Sequence, residues 1–204
     1  MNILAPPRAR LHIEVVFDLV CPWCFLGTRR LRRTLRSRPD IAPGGVPRQD
    51  YIVRKFGGED RARRLHGTIA ELGRAEGLAF QFDRIRRIPP SLDGHRLVRM
   101  AEHQGLAADA VDALFQAYFC DGQDIGDLSV LAGIAGSIGM EIGVTRRALA
   151  GSAEVEAVHA DNLRAHRLGI NGVPCFVVQG RHAIAGAQEP EVIERLLDVA
   201  VVEG

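Results

Sequence analysis

The sequence predicts an α/β fold in which a small sheet domain is interrupted by a long helical segment. The chain opens with an apolar, β-branched strand and an amphipathic helix, and it ends with two short strands and a last helix. Roughly 120 residues between these parts have mostly helical patterns. We therefore divide the chain into a first part of the sheet domain (10–48), a helical insertion (49–160) and a second part (161–204).

Composition excludes several classes of protein. With 204 residues, 47% of them hydrophobic, the chain can bury one sizeable core. A net charge of +1 favours no nucleic-acid partner, and the chain has no apolar run long enough for a membrane span. The N-terminus lacks the basic and apolar regions of a secretory signal, so we expect a cytoplasmic protein without membrane association.

The charges are unevenly distributed along the chain. Residues 29–99 carry a large excess of arginine, and residues 100–204 carry a large excess of carboxylates. Either the basic part binds an anionic partner, or the two parts face one another within one chain or across a homodimer. We favour the second interpretation, because no aromatic residues alternate with the arginines as they do in many nucleic-acid-binding surfaces.

The first elements follow from the pattern of apolar residues. His12–Val20 is a β-branched run typical of a buried strand, and Phe25–Ser37 has helical spacing with its arginines on the other face. Pro39 ends that helix. Residues 39–49 are rich in proline and glycine and predict a loop, and Gln49–Phe56 predicts a short helix.

The middle of the chain predicts further helices. Leu78–Ile85 alternates weakly and predicts a strand or an extended loop. Ser91 and Asp127 are predicted N-caps, and Gly105 and Gly169 are predicted helix ends. The helical segments are Glu59–Ala75, Ser91–Gln104, Asp109–Phe119, Asp127–Ile138, Thr145–Leu149 and Ala153–Leu168.

The end of the chain returns to α/β character. Cys175–Gln179 and His182–Ala185 predict two strands joined by a hairpin turn at residues 180–181. Pro190 suits the first turn of a last helix, whose apolar residues share one face.

The chemistry is concentrated in Cys21-Pro22-Trp23-Cys24, at the junction of the first strand and the first helix. A helix start provides free N–H groups and a positive dipole end, which stabilise a thiolate at Cys21. The spacing brings the two sulfurs within disulfide reach, and Cys24 lies one turn in, on the apolar face. This pattern predicts dithiol redox chemistry, with Cys21 attacking and Cys24 resolving.

Two other interpretations of the cysteine pair are half of a zinc site and two inert core thiols. A structural zinc site needs two further ligands, usually as a second close pair. Cys120 and Cys175 are isolated, and His159 and His166 are too far apart for such a pair. We therefore predict no metal site. Cys175 and Cys120 are more typical of buried small residues than of redox partners.

Several stretches together resemble the DsbA-like thioredoxin-fold oxidoreductases, especially the cytoplasmic FrnE-like branch. The resemblance implies a thioredoxin fold with a large inserted α-helical domain, and thiol–disulfide exchange. The matching stretches are FDLVCPWCFLG (17–27), YIVRKFGG (51–58), LDGHRL (92–97), LFQAYF (114–119), DIGDLSVLAGIA (124–135), AHRLGINGVPCFVV (165–178) and AIAGAQEPEVIERLL (183–197).

The resemblance also implies roles for particular residues. Cys21 and Cys24 match the active-site pair, Pro174 matches the cis-proline before a strand, and Val173 precedes it. His95 matches a helix that faces the active-site cleft. Substrate-binding residues are then Pro22, Trp23, Val173, Pro174 and His95.

The chain departs from the family at three places. Only Asp40–Asp50 fills the space where the family has a strand, which predicts a missing edge strand. Pro90 stands where the family often has asparagine, and Cys175 where it has threonine. Asp18, three residues before the first cysteine, is either a proton acceptor for Cys24 or a cap at the strand–helix turn.

These observations lead to three functional hypotheses. The first is a cytoplasmic thiol–disulfide oxidoreductase or disulfide isomerase, acting on protein or peptide thiols and disulfides. The second is a glutathione-dependent isomerase or transferase of the kappa-class or 2-hydroxychromene-2-carboxylate isomerase type, in which a serine usually replaces the first cysteine. The third is a peptide-binding module or chaperone without turnover. No cofactor is expected, and glutathione is a candidate co-substrate.

Overall fold

The computed structural model describes residues 9–38, 41–44, 47–49 and 59–202, with side chains described over 11–38 and 66–202. Its sheet is built around the first strand, β1 (Ala9–Phe17). On one edge, β2 (Ile41–Gly44) and β3 (Pro47–Gln49) run parallel to β1. On the other, β4 (Cys175–Val178) runs antiparallel to β1, and β5 (His182–Ala185) runs antiparallel to β4.

The two faces of the sheet are covered differently. The alternation of β1 sends Leu11 and Phe17 into the large core, together with α1 (Pro22–Ser37) and α8 (Pro190–Val202). Val16 faces the other way, into a small cluster with Ala165 of α7 (Val155–Arg167) and with two residues of β4. The central strand is therefore buried on both faces, as its continuous apolar sequence predicts.

Residues 39–49 differ from the prediction in their described parts, because Ile41–Gly44 and Pro47–Gln49 are strands rather than a loop. The edge strand that the short spacing predicts to be missing is present as these two pieces. Pro43 pairs with Leu11 and Pro47 pairs with Val15, both at the edge of the sheet. Proline is tolerated in an edge strand, since its missing N–H is not needed by a further strand.

Helices α2 to α7 lie between β3 and β4. The new members are α2 (Glu59–Ala75), α3 (Leu92–Glu102), α4 (Ala107–Phe115), α5 (Leu128–Ser137) and α6 (Ile142–Ala150). The short helix predicted for Gln49–Phe56 lies outside the described residues, apart from Gln49 in β3. The boundaries at 49 and 160 remain predictions.

Three local expectations in the insertion have different outcomes. Asp127 caps α5, and its carboxylate accepts the N–H of Ser129 at 2.7 Å. Ser91 precedes α3, but its side chain makes no cap hydrogen bond. Leu78–Ile85 forms no strand; it is irregular and contains a single 3₁₀ turn at Phe82–Arg84. Rings of Phe80 and Phe82 stack there at 5.1 Å, so packing rather than strand pairing positions this segment.

The predicted helix Asp109–Phe119 has two parts. After α4 the chain widens into one π-helical turn, Gln116–Cys120. This turn carries Tyr118 and Phe119 into the core, and the Phe119 ring packs against Phe25 of α1 at 6.2 Å. Local widening of this kind is uncommon and often occurs beside functional sites.

The oppositely charged parts of the chain meet within one molecule. Arg32 of α1 pairs with Asp112 of α4, and Arg38 pairs with Asp198 of α8 at 2.6 Å. Arg30 is buried and reaches Glu189 at 2.8 Å, although the helical pattern places it on a solvated face. These pairs support the interpretation in which the two charged parts face one another.

Candidate active site

The two cysteines lie where β1 gives way to α1. Cys21 occupies the N-cap position with extended backbone angles, and Pro22 takes the first helical position. Proline suits that position because its missing N–H would have no helical partner. The Cys24 N–H then donates to the Cys21 carbonyl at 3.0 Å, which places both residues on the first turn. Both cysteines are free thiols in the structure.

The two thiols have different surroundings. Cys21 is half-buried, whereas Cys24 is 0% exposed. A hydrogen bond from the Cys24 thiol is the largest influence on the pKa of Cys21 and lowers it below the ordinary value, helped by the N–H groups of Cys24 and Trp23. Burial is the largest influence on the pKa of Cys24 and raises it well above the ordinary value. Cys21 is therefore the more acidic thiol and Cys24 the more basic one.

The loop before β4 faces the more acidic thiol. The Val173–Pro174 peptide bond is cis, and the Sγ of Cys21 lies 3.9 Å from the carbonyl oxygen of Val173. Gly27 of α1 permits this approach, since a Cβ there would lie 3.0 Å from the Pro174 ring and 3.1 Å from Phe176. The structure thus brings residues 21 and 173 together from opposite ends of the chain.

Pro22, Trp23 and Val173 are all half-buried around Cys21. The Trp23 side chain packs on the main core, as does that of Val173. Part of each side chain faces solvent, so these residues surround the cysteine that a substrate would meet. Their role in binding remains a prediction.

A buried carboxylate and a buried imidazole lie next to the dithiol. Asp18 and His95 are each 1% exposed, and the Oδ1 of Asp18 lies 3.7 Å from the Nε2 of His95. The Asp18 backbone N–H donates to the Sγ of Cys24 at 3.4 Å, and its Oδ1 accepts the Val20 N–H at 3.2 Å. The carboxylate therefore does cap the strand–helix turn, and the backbone of the same residue contacts the buried thiol.

His95 is placed differently from the expectation of a cleft-facing residue. Its side chain is almost fully buried, and its ring packs 5.6 Å from the ring of Phe17. α3 can approach the loop after β1 because Gly94 has no side chain; a Cβ there would lie 2.7 Å from Leu19. Contact of His95 with a substrate remains a prediction, and its observed neighbour is Asp18.

Sequence reasoning missed Tyr118. Its phenol is buried against the same region and donates to the Arg87 carbonyl at 3.3 Å. Burial, together with the negative charges of Asp18 and Asp124, raises the pKa of Tyr118 to about 12. Tyr118 lies in the matching stretch LFQAYF, but no signal in the sequence connects it to the cysteines.

The other two cysteines are buried and less acidic. Cys175 faces α7 in the small cluster, on the other side of the sheet from the main core, and Cys120 lies on the π-helical turn. Burial is the largest influence on the pKa of each and raises both.

Within the part of the chain that the structure describes, no group of three or more histidine, cysteine or acidic side chains is placed to hold a metal ion. No helix in that part is long and apolar enough to span a membrane.

Comparison with known proteins adds a family. The sequence profile of the DSBA-like thioredoxin domain matches residues 12–198, which is nearly the whole chain. A probable DsbA oxidoreductase from Streptomyces coelicolor has a similar structure, with 26% identity, a TM-score of 0.84, and coverage of 95% of this chain and 91% of that one. These matches confirm the predicted class, a thioredoxin fold with an inserted helical domain.

Two further solved structures share the fold and match this chain with the same TM-score as each other, but their names describe different activities. The cytosolic disulfide reductase DsbM from Pseudomonas aeruginosa, solved with glutathione, has 18% identity, a TM-score of 0.72, and coverage of 94% of this chain and 99% of that one. A 2-hydroxychromene-2-carboxylate isomerase also has a TM-score of 0.72, with 16% identity and coverage of 92% and 95%. The fold alone does not decide between these two activities.

Proposed function

Because this chain belongs to the DSBA-like thioredoxin domain family, we propose that it is a thiol–disulfide oxidoreductase with Cys21 as nucleophile and Cys24 as resolving thiol. The observation that carries the proposal is the contrast between the two sulfurs. The half-buried Cys21 has a lowered pKa, and the fully buried Cys24 next to it has a raised one. A thiolate is the attacking species in disulfide exchange.

The proposed reduction of a substrate has two exchange steps. The Cys21 thiolate forms a bond to one sulfur of the substrate disulfide, and the other substrate sulfur leaves with the electron pair. Cys24 then loses its proton and attacks the Cys21 sulfur, so the substrate is released as a thiol and the pair becomes a disulfide. Two electrons pass from the dithiol to the substrate; oxidation of a dithiol substrate is the reverse.

We place the substrate in the groove between the Cys21 turn and the Val173–Pro174 loop. Trp23 and Val173 offer apolar contact there, and backbone groups of the loop would pair with an extended peptide. Pro22 and Pro174 complete the surface. The substrates proposed are therefore peptides or proteins with accessible disulfides or thiols.

Glutathione is proposed as the small thiol partner, and the cytoplasm as the compartment. The structural neighbour named as a cytosolic reductase was solved with glutathione, and the Cys21 pair has no histidine between its cysteines. A homodimer stays a prediction. We expect a potential between the strong oxidants and the strong reductants of this fold, within about −270 to −120 mV.

Redox titration tests the proposal directly. The protein is equilibrated with glutathione buffers of graded potential, free thiols are alkylated, and Cys21 and Cys24 are assigned by mass. We expect a two-electron transition in these two residues, with Cys120 and Cys175 alkylated only after unfolding because both are buried. Two thiols that stay reduced throughout would remove disulfide exchange as the activity.

The same variants distinguish the other candidates. Glutathione-dependent isomerisation of a small molecule that survives Cys24→Ser would support the isomerase hypothesis. The neighbouring isomerase structure has the same fold. Suppression of aggregation that survives alkylation of both active-site cysteines would support a chaperone. Loss of disulfide exchange in Cys21→Ser, with neither of these activities present, supports the oxidoreductase.

A further inference from the structure

The strongest unexplained feature of the site is the pair of buried side chains behind it. Asp18 follows β1 and His95 lies on α3 of the insertion, and the two side chains are each 1% exposed. Their nearest polar atoms are 3.7 Å apart, which is too long for a hydrogen bond but short for a charge interaction. The pair therefore joins the two parts of the molecule next to the dithiol.

These groups lack the partners that buried polar atoms usually have. No hydrogen bond within the described ranges involves the Oδ2 of Asp18 or either ring nitrogen of His95. Leaving such a group unpaired destabilises the folded state, and native proteins keep few of them. A stability role does not explain the pair, because an apolar pair would pack here at lower cost.

The pair is connected to the resolving thiol. The Asp18 N–H contacts the Cys24 sulfur at 3.4 Å, and the negative charge of Asp18 adds to the burial that raises the pKa of Cys24. Cys24 itself is 0% exposed. When Cys24 becomes a thiolate, its proton therefore needs an acceptor inside the protein. Asp18 is the acidic residue whose backbone N–H already contacts the Cys24 sulfur.

The other charged groups around the pair leave this role to His95. At the start of α1 the titratable neighbours are the N-cap Cys21 and Cys24. On the π-helical turn the neighbour is Tyr118, whose pKa is too high for it to ionise near neutral pH. In the ranges with described side chains, no arginine or lysine lies within salt-bridge distance of Asp18. The next residue on α3, Arg96, binds backbone carbonyls of the α6 region instead.

We propose that His95 and Asp18 form a proton-holding couple for the resolving step, with His95 acting through Asp18 as a positioning residue. The inference rests on the proposed oxidoreductase function and adds a residue from the insertion to it. When Cys21 is in a mixed disulfide, the Cys24 proton passes to the couple. The imidazolium of His95 then lies beside the Asp18 carboxylate, so the proton is held where an opposite charge faces it.

The Cys24 thiolate forms the bond to the Cys21 sulfur, and the bond between Cys21 and the substrate sulfur breaks. The substrate sulfur leaves with that electron pair and takes a proton from water. In the reverse reaction, the couple returns its proton to Cys24 when a thiol opens the Cys21–Cys24 disulfide.

This role predicts a characteristic pH profile. The couple can accept the Cys24 proton only while it does not already hold one, so the rate of the resolving step should rise with pH. Without the imidazole, the step follows the ionisation of Cys24 itself, whose pKa burial raises. We therefore expect His95→Gln to slow the resolving step by roughly tenfold or more near neutral pH, which is a modest effect for proton-transfer catalysis. At alkaline pH the variant should approach the wild-type rate.

The experiment isolates the resolving step. The reduced full chain with Cys120→Ala and Cys175→Ala is mixed with a dithiobis-nitrobenzoate, an aromatic disulfide whose thiolate product absorbs visible light. Attack by Cys21 releases the first thiolate, and attack by Cys24 releases the second, so the second phase reports resolution. Rates are measured against pH for the parent, His95→Gln and Asp18→Asn. The matched control is His103→Gln, since His103 is the exposed histidine at the end of α3.

Each outcome is decisive. A pH profile displaced upward in His95→Gln, but not in His103→Gln, supports the couple, as does slower resolution near neutral pH in Asp18→Asn. An unchanged profile shape, or a uniform slowing at every pH, would overturn it and leave His95 a packing residue. Absence of the second phase in the parent would instead overturn the proposed function, so the two failures are distinguishable.

A spectroscopic measurement covers the case in which a variant folds poorly. The ring protons of His95 are followed by NMR against pH in the parent, in reduced and oxidised forms. We expect a different midpoint in the two forms, because oxidation removes the Cys24 proton that the couple exchanges. The same midpoint in both forms contradicts the proposal.

Discussion

His95 and Arg96 are neighbours on α3, and both are buried, but their surroundings are opposite. Arg96 is 3% exposed, and all three nitrogens of its guanidinium donate hydrogen bonds. It donates to Asp93 and to four carbonyls around the end of α6, those of Ala148, Leu149, Gly151 and Ala153. His95 lies beside Asp18, and neither of its ring nitrogens has a hydrogen-bond partner within the described ranges.

The difference separates two uses of buried polar groups. The last carbonyls of a helix have no partner within it, so the guanidinium of Arg96 supplies the missing hydrogen bonds and holds α6 to α3. The imidazole of His95 supplies none, and it stays available for a proton. Satisfied groups are expected to matter for stability, and unsatisfied groups beside the thiols for chemistry.

The largest expected effect is on activity at the dithiol side. Cys21→Ser should reduce exchange with a peptide disulfide to the uncatalysed rate, because a hydroxyl cannot form the mixed disulfide. The unfolding free energy should stay within about 0.5 kcal/mol of wild type, since the side chain is half-buried and nearly isosteric. The rate of exchange is measured from the release of substrate thiol. Retained activity would break the assignment of Cys21.

On the other side of α3, the main effect is on stability. Arg96→Ala should lower the free energy of unfolding by about 3 kcal/mol, because it removes five hydrogen bonds and leaves the buried Leu149 carbonyl without a partner among the described side chains. Urea titration measures the loss. The control is Arg146→Ala, at an exposed position of α6, which should change little. A small change in Arg96→Ala would show that solvent satisfies these carbonyls.

A change at the dithiol side should have the opposite sign. Asp18→Asn removes a buried carboxylate whose Oδ2 has no hydrogen-bond partner in the described part of the chain. The amide keeps the shape and the bond to the Val20 N–H. We expect the free energy of unfolding, measured by urea titration, to rise by about 1 kcal/mol. The resolving step by Cys24 should become slower. A loss of stability would indicate that the carboxylate holds the strand–helix turn more strongly than its contacts show.

The smallest effect concerns the acidity of Cys21. Its reaction with iodoacetamide should rise with pH around a midpoint below the ordinary cysteine value, because the Cys24 thiol donates a hydrogen bond to the thiolate. Cys24→Ala removes this donor and should move the midpoint upward. Cys24→Ser keeps a donor and should move it less. Equal midpoints in both variants would mean that the backbone N–H groups carry the effect.

The parts of the fold that follow local rules could be predicted. The first strand, the helices and the last hairpin follow from apolar periodicity. Asp127 caps its helix because the cap involves only the N–H groups two and three positions further along the chain. The strands at 41–44 and 47–49 could not be predicted, since prolines mark a loop unless an edge is available. Ser91 has the right residue type for a cap, but its side chain makes no cap hydrogen bond.

The active site shows the same division. The sequence by itself determined the position of Cys21 and Cys24 at a helix start, because strand, proline and helix are consecutive there and the geometry is local. Only the tertiary structure decided that His95 lies against Asp18, since that contact depends on how α3 packs on the loop after β1. No local pattern records it, because it requires the absent side chain of Gly94 and the burial of both groups together.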